Sequence, residues 1–249
     1  MPVIEPKPSQ TEGYFFTADD FGRDSATNCA ILHAYRQGAL HGASLMMGQA
    51  GTNEAVAMAR DNPGLLVGLH WHFNDSDPLT VEEWPWGATP LAAGWAIGLQ
   101  KRARDLAANE ARAQCEGFAA TGLKAAFVNS HHHMQIHPCM WPRLWPLAAE
   151  MSGSWLRLGR PHFFKKTAQW MMVDAAARCL GSRARKAWAG PKSDGLWGLD
   201  RSFKMQPEEV RRAVARGLAG RQEFLFHPRD VEDQDTRCLV ALRDLRNPS

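Results

Sequence analysis

From Tyr14 onward, short apolar runs alternate with stretches in which apolar residues recur every three or four positions. Tyr14-Phe15-Phe16 predicts a strand that ends at Asp19-Asp20. A helix follows from about Ser25 to Gln37, closed by Gly38. A second strand near Ala43 to Met47 leads through Gly48 and Gly51 into a helix around Asn53 to Arg60, and the turn Asn62-Pro63-Gly64 precedes a third strand carrying Val67 to His72. This β-α-β-α-β rhythm predicts an α/β chain with a parallel sheet and crossover helices.

Residues 74 to 98 break the rhythm with Asp75, Asp77, Glu82 and Glu83, with Pro78, Pro85 and Pro90, and with three tryptophans. They read as an inserted loop over the mouth of the sheet, serving as a lid or a homodimer contact. A long helix from Leu99 to Ala120 ends at Gly122, and Ala125 to Val128 forms a strand that delivers His131-His132-His133. Pro142 and Pro146 limit Pro138 to Met151 to partial helix. Leu156-Arg157-Leu158 reads as the next strand, 165 to 189 as amphipathic helix, and 191 to 204 as a glycine-containing loop. Pro207 to Leu218 has proline in its first turn and Glu208-Glu209 at its positive end, as a helix should. Glu223 to Phe226 is a last strand ending in His227-Pro228, and Arg237 to Leu245 reads as one closing helix.

A length of 249 residues suits a single domain over residues 14–249 behind a flexible, proline-rich tail at 1–13. Net charge is +3 with both signs interspersed; the one basic cluster, Arg178 to Lys186, reads as a solvated helix end, so no nucleic-acid partner is expected. The tail lacks the apolar core of a signal peptide, and no apolar run reaches the roughly 18 residues of a membrane span, which points to a soluble cytoplasmic protein. Cys29, Cys115, Cys139, Cys179 and Cys238 are odd in number and widely spaced, as expected of reduced, mostly buried thiols.

The chemistry gathers at strand ends. Carboxylates and imidazoles that leave the ends of different parallel strands can converge at one mouth of the sheet. One aspartate with two histidines makes a facial ligand set that leaves positions open for water and substrate. Asp19 and Asp20 leave one strand end in opposed directions, which suits one as metal ligand and the other as proton acceptor. His70 is a candidate ligand and His72 a packed residue. In a strand His131, His133 and Asn129 would share one side, although a turn could redirect any of them. His227 titrates in the range of a general acid for a leaving amine.

Taken together, Thr17-Ala18-Asp19-Asp20-Phe21-Gly22, Asn28, Gly68-Leu69-His70, Ser130-His131-His132-His133, Leu156-Arg157-Leu158 and His227-Pro228 resemble the YdjC/ChbG/HpnK family of carbohydrate deacetylases, over roughly residues 14 to 230. The resemblance implies a distorted (β/α) barrel of polysaccharide-deacetylase type that removes acetyl from N-acetylated sugars with one divalent metal ion, Mg or Zn. It implies Asp20, His70 and His131 as metal ligands and Asp19 as base. Arg157 is expected to orient Asp19 or touch substrate, and His133 to line the substrate site. Asn129 and Gln135 depart from the pattern, standing where the family usually has aspartate and histidine, and the C-terminal elements look shortened. Two other readings are an ester or phosphoester hydrolase at the same metal, and a catalytically weakened sugar-binding protein; retention of Asp19 argues against the second.

Overall fold

In the computed structural model, which describes residues 13–151, 154–165 and 184–246, every apolar run noted above lies in or beside a strand. The strands are β1 (Gly13–Phe21), β2 (Gly42–Leu45), β3 (Leu66–Trp71), β4 (Phe127–Ser130), β5 (Trp155–Leu156), β6 (Arg160–His162), β7 (Gly195–Trp197) and β8 (Arg221–Phe226). All pair in parallel, in the order β5-β4-β3-β2-β1-β8-β7-β6. A bridge from Leu156 to Lys192 draws the far side inward, so the sheet curls into a half-barrel flanked by helices, as a distorted (β/α) barrel requires. The inner strands are buried along nearly their whole length, which is why they read as continuous apolar runs rather than alternating ones.

β1 sits at the centre. Phe16 meets Phe224 and Phe226 edge to face at 5.7 and 5.9 Å, and Phe21, Leu45 and Leu69 close the core around them. Gly68 is required here because a Cβ would come within 2.4 Å of the Phe127 ring. The helix α1 (Ser25–Arg36) is capped by Asp24, whose side chain accepts from the Thr27 N–H, and Gly38 follows it at φ 75°. The helices α2 (Thr52–Asp61) and α4 (Lys101–Ala120) lie where the apolar period places them.

Several elements differ from the sequence-based expectation. Within the inserted segment 74–98 a helix, α3 (Pro90–Leu99), starts at the Thr89 cap with proline in its first turn; its apolar residues surround the axis, so no 3.6 period betrays it. The rest of the segment is fastened down: Glu110 of α4 accepts from the Leu79 and Thr80 N–H groups, and the stacked Trp84 and Trp86 donate to Ser76 O and Phe73 O. Helix α5 (Trp141–Glu150) is continuous despite Pro146, with Pro142 in its first turn where no N–H is missed. The 191–204 loop contains β7 and a 3-10 turn, Leu199–Arg201. Arg160–His162 is a strand despite its proline, β6 pairing among the described residues with β7 alone and standing at the end of the strand order. The helix from Pro207 ends at Val214, and the last helical stretch is two pieces, Gln234–Ala241 and Arg243–Arg246. Residues 166–183, with Arg178, Cys179 and Arg183 of the basic cluster, and residues 1–12 of the tail lie outside the described residues; Arg185 of the cluster is half-buried and donates to Leu158 O, and Gly13 opens β1. The described cysteines are free, but only Cys238 is buried and Cys29 is exposed, so "mostly buried" does not hold for them. No helix among the described residues is long and apolar enough to cross a membrane.

His41 accepts the Phe16 N–H at Nδ1, 3.0 Å away, and stacks on Phe15. Burial, aided by Arg246, lowers its pKa from 6.5 to about 4. The unfolded chain therefore takes up a proton here that the folded chain refuses, so this contribution to stability is full above pH 6.5 and is lost as the pH falls toward 4. In urea titrations across this range, His41→Asn should show a shallower loss of midpoint with acid than wild type; parallel curves would contradict the assignment.

Candidate metal centre and its carboxylate network

The carboxyl ends of β1, β2, β3, β4, β5 and β8 supply Asp19 and Asp20, Ser44, His70, Asn129 and His131, Arg157, and His227. Two local irregularities aim them. In β1 the pairing with β2 slips between Ala18 and Phe21, and Asp20 takes φ 69°. Such a bulge turns one side chain away from its regular direction, and aspartate tolerates the left-handed region better than most residues. β4 stops at Ser130, and His132 and His133 turn left-handed at φ 52° and 57°, so strand alternation does not govern the histidine run.

The result is a buried trio. Asp20 Oδ1 lies 3.0 Å from His131 Nδ1 and 3.2 Å from His70 Nε2, and the two ring nitrogens are 3.4 Å apart. One ligand atom from each of Asp20, His70 and His131 falls within 4.8 Å of the others. Asp20 Oδ1 is buried and makes no hydrogen bond among the described residues despite these short distances; three lone-pair donors aimed at one point fit a divalent cation better than they fit one another. Burial works against ionisation of Asp20, but the adjacent His131 and His70 hold its carboxyl well below the usual range. Its second oxygen, Oδ2, accepts from Arg229 Nη2 at 2.7 Å. Behind His131, Asp75 Oδ2 lies 3.6 Å from Nε2 and 3.4 Å from Arg23. Asp75, His131 and the exposed His132 form a second, overlapping trio.

Asp19 faces the other way, into a buried ion network. Arg157 Nη1 and Nη2 donate to its two oxygens at 2.6 and 2.8 Å, while Arg157 Nε donates to Glu223 Oε1 at 2.8 Å. Ser44 Oγ donates to Asp19 Oδ1 at 2.9 Å and lies 3.2 Å from His70 Nδ1. Burial would raise the Asp19 pKa, but Arg157 overrides it and keeps Asp19 ionised throughout the working pH range, while burial outweighs Arg157 at Glu223 and raises that carboxyl. Arg157 is 1% exposed; its guanidinium orients Asp19 and is turned from solvent.

Asn129 joins the two halves. With its oxygen toward His70 it accepts from Nδ1 at 2.6 Å and donates to Asp19 at 3.3 Å, yet its nitrogen then confronts the Arg157 donors. Turned over, the oxygen accepts from Arg157 at 3.0 and 2.8 Å and the nitrogen donates to His70 Nδ1 at 2.6 Å. The second arrangement satisfies more groups and places the proton of a neutral His70 on Nε2, toward Asp20. A cation would need the Nε2 lone pair, which puts the proton on Nδ1; the first orientation then supplies its acceptor, Asn129 Oδ1 at 2.6 Å.

Of the other residues singled out in the sequence, His72 is buried, lies 2.9 Å from Met47 O through Nε2, and is pushed to about 3 by burial, as a packed residue. His133 is half-buried and, with Arg157 nearby, burial lowers it to about 3. Gln135 ties the turn to Arg157 O at 3.0 Å. His227 is half-buried and lowered by burial, against the pull of Asp19, Asp20 and Asp235. Asp230, three residues further on, is turned to the Glu232 N–H. Asp235, whose Oδ2 accepts the His227 backbone N–H at 2.8 Å, stands there instead. Glu223, Arg229, Asp75 and Ser44 were not anticipated; a glutamate inside the apolar run Glu223 to Phe226 was the one available signal.

The sequence and fold also match known proteins. The family model described as YdjC-like protein matches residues 15–245. Proteins named carbohydrate deacetylase from Vibrio vulnificus (strain CMCP6) and Brevibacillus brevis are 37% and 33% identical to it, over 53% of the chain in each case and 54% of each relative. The chain thus spans about half the length of these relatives in alignment. A solved structure from Enterococcus faecalis V583, provisionally described as a cellobiose-phosphate cleavage protein, shares the fold with a TM-score of 0.68 at 16% identity, over 94% of both chains.

Proposed function

We propose that this chain, which belongs to the YdjC-like family, hydrolyses the acetamide of an N-acetylated sugar at a divalent cation, Mg or Zn, held by Asp20, His70 and His131. The observation that carries the reading is the buried trio with Asp19 clamped beside it. A cation bound there would polarise the acetyl carbonyl and acidify water. Asp19, kept ionised by Arg157, accepts the proton released as water attacks. His227 passes a proton to the departing amine, and the proton taken by Asp19 returns to it through solvent. One carboxylate with water-filled remaining positions suits magnesium, whereas two imidazoles suit zinc.

The test is acetate release from N-acetylated mono- and oligosaccharides and lipid-linked N-acetyl sugars, after stripping metal and adding back Mg, Zn, Mn or Co. Release that returns with one of these ions supports the reading; tight sugar binding with no release under any of them points to a binding protein.

His227 separates this chemistry from ester hydrolysis. Because burial lowers its pKa, acid assistance by His227 should increase as the pH falls below neutral. His227→Ala should lose far more turnover on an N-acetyl sugar than on an activated aryl acetate, whose leaving group needs no proton. Equal losses on both would remove the acid role.

A further inference from the structure

Phe203 stands out among the described residues near the site. It is 53% exposed and adopts φ 64°, a conformation rare for a bulky side chain. The conformation is enforced. Asp235, fully buried, accepts the Phe203 N–H at 3.3 Å, the Met205 N–H at 2.9 Å and the His227 N–H at 2.8 Å. One carboxylate thus pins the Phe203 turn to the strand end that carries His227. The Phe203 ring lies 5.3 Å from the His227 ring and 5.3 Å from the Arg229 guanidinium carbon. Arg229 in turn holds Asp20 Oδ2, while its Nη1 is buried with no hydrogen-bond partner among the described residues.

A strained, solvent-facing aromatic held in place beside a reacting group is the arrangement found at ligand clamps. The C–H face of a pyranose ring packs on such a surface as other apolar groups do, and an unpaired guanidinium N–H next to it needs an oxygen acceptor.

We propose that Phe203 and Arg229 form the sugar-ring wall of the site: the ring of an N-acetylated pyranose lies against Phe203, and Arg229 Nη1 donates to a ring-substituent oxygen. The acetamide is thereby presented to His227 and Asp20. The inference rests on the deacetylase reading for its substrate, yet it is testable apart from it. Phe203 is not one of the three candidate cation ligands, so it is the residue to vary.

The experiment compares wild type, Phe203→Gly and Phe203→Tyr. Three quantities are measured: KM and kcat for acetate release from N-acetylglucosamine and N-acetylated disaccharides, binding of the same sugars to metal-stripped protein by ligand-observed NMR, and melting temperature. Glycine accepts φ 64° without strain, so Phe203→Gly should melt no lower than wild type while KM and sugar dissociation constant rise roughly tenfold; Phe203→Tyr should restore both. Unchanged KM and binding in Phe203→Gly would overturn the proposal, as would a melting temperature well below wild type, which would make the ring a packing element. Sugar binding that depends on Phe203 without any acetate release would sink the deacetylase reading and leave the wall standing. A wild-type protein that neither binds nor turns over these sugars would overturn the wall as well.

Discussion

Asp19→Asn should bind a divalent cation about as tightly as wild type and lose roughly 10² to 10⁴ in turnover, the usual contribution of a positioned general base. The two aspartates are adjacent in sequence, but the β1 bulge sends them to different partners: Asp20 to His70 and His131, Asp19 to Arg157 and Ser44. An asparagine keeps one of the two oxygens that accept from Arg157 and removes the charge and the capacity to take a proton. His70→Ala and His131→Ala should instead lose cation and turnover together. Isothermal titration with Zn or Mn, run beside acetate release, separates the outcomes. If Asp19→Asn loses the cation as fully as the histidine variants do, Asp19 is a ligand and the division of roles is wrong.

Arg157→Ala should show the largest loss of stability, about 3–5 kcal/mol, because removing one partner of a buried ion pair strands the others. Here two carboxylates, Asp19 and Glu223, would remain at 3% and 0% exposure. Their pKa values in the folded variant should then lie above those in the unfolded chain. By linkage the defect is greatest at neutral pH and is relieved as the pH falls and the carboxylates take up protons. Urea unfolding at pH 7 and pH 5 tests this, and Arg157→Met combined with Asp19→Asn and Glu223→Gln should recover much of the loss. A variant as stable as wild type at pH 7 would mean the network is solvated and of little structural weight.

The residues most legible in the sequence were those whose chemistry contradicts their surroundings. Asp19-Asp20 after an apolar run, His70 after Leu65 to Leu69, and histidines after Phe127-Val128 all had to be explained by something other than packing, and the structure gathers them at one mouth. Less legible were groups whose meaning depends on tertiary neighbours. Asp75 sits in a segment already crowded with acids, and Arg229 in a polar stretch near the C-terminal helices. Ser44 looks like any small strand residue until His70 and Asp19 are placed on either side of it. The same holds for the fold. β6 and β7 are three residues each, too short to establish a period, and α3 is apolar on all sides. In α5, local proline chemistry argued against a helix that packing of Trp141, Leu144 and Leu147 sustains.

The pairing of β1 with β8 bears on how the site comes into being. Asp20 meets Arg229 across 209 residues of chain, and Asp19 meets Arg157 across 138, whereas His70 and Asn129 are separated by 59. Closing such long loops is entropically slow, and folding rates fall as contacts become more distant in sequence. The histidine half can therefore assemble while the carboxylate half still awaits the last strand. As the chain emerges, Asp19 precedes Arg157 by 138 residues and Asp20 precedes Arg229 by 209, so the two aspartates are made well before the arginines that balance them.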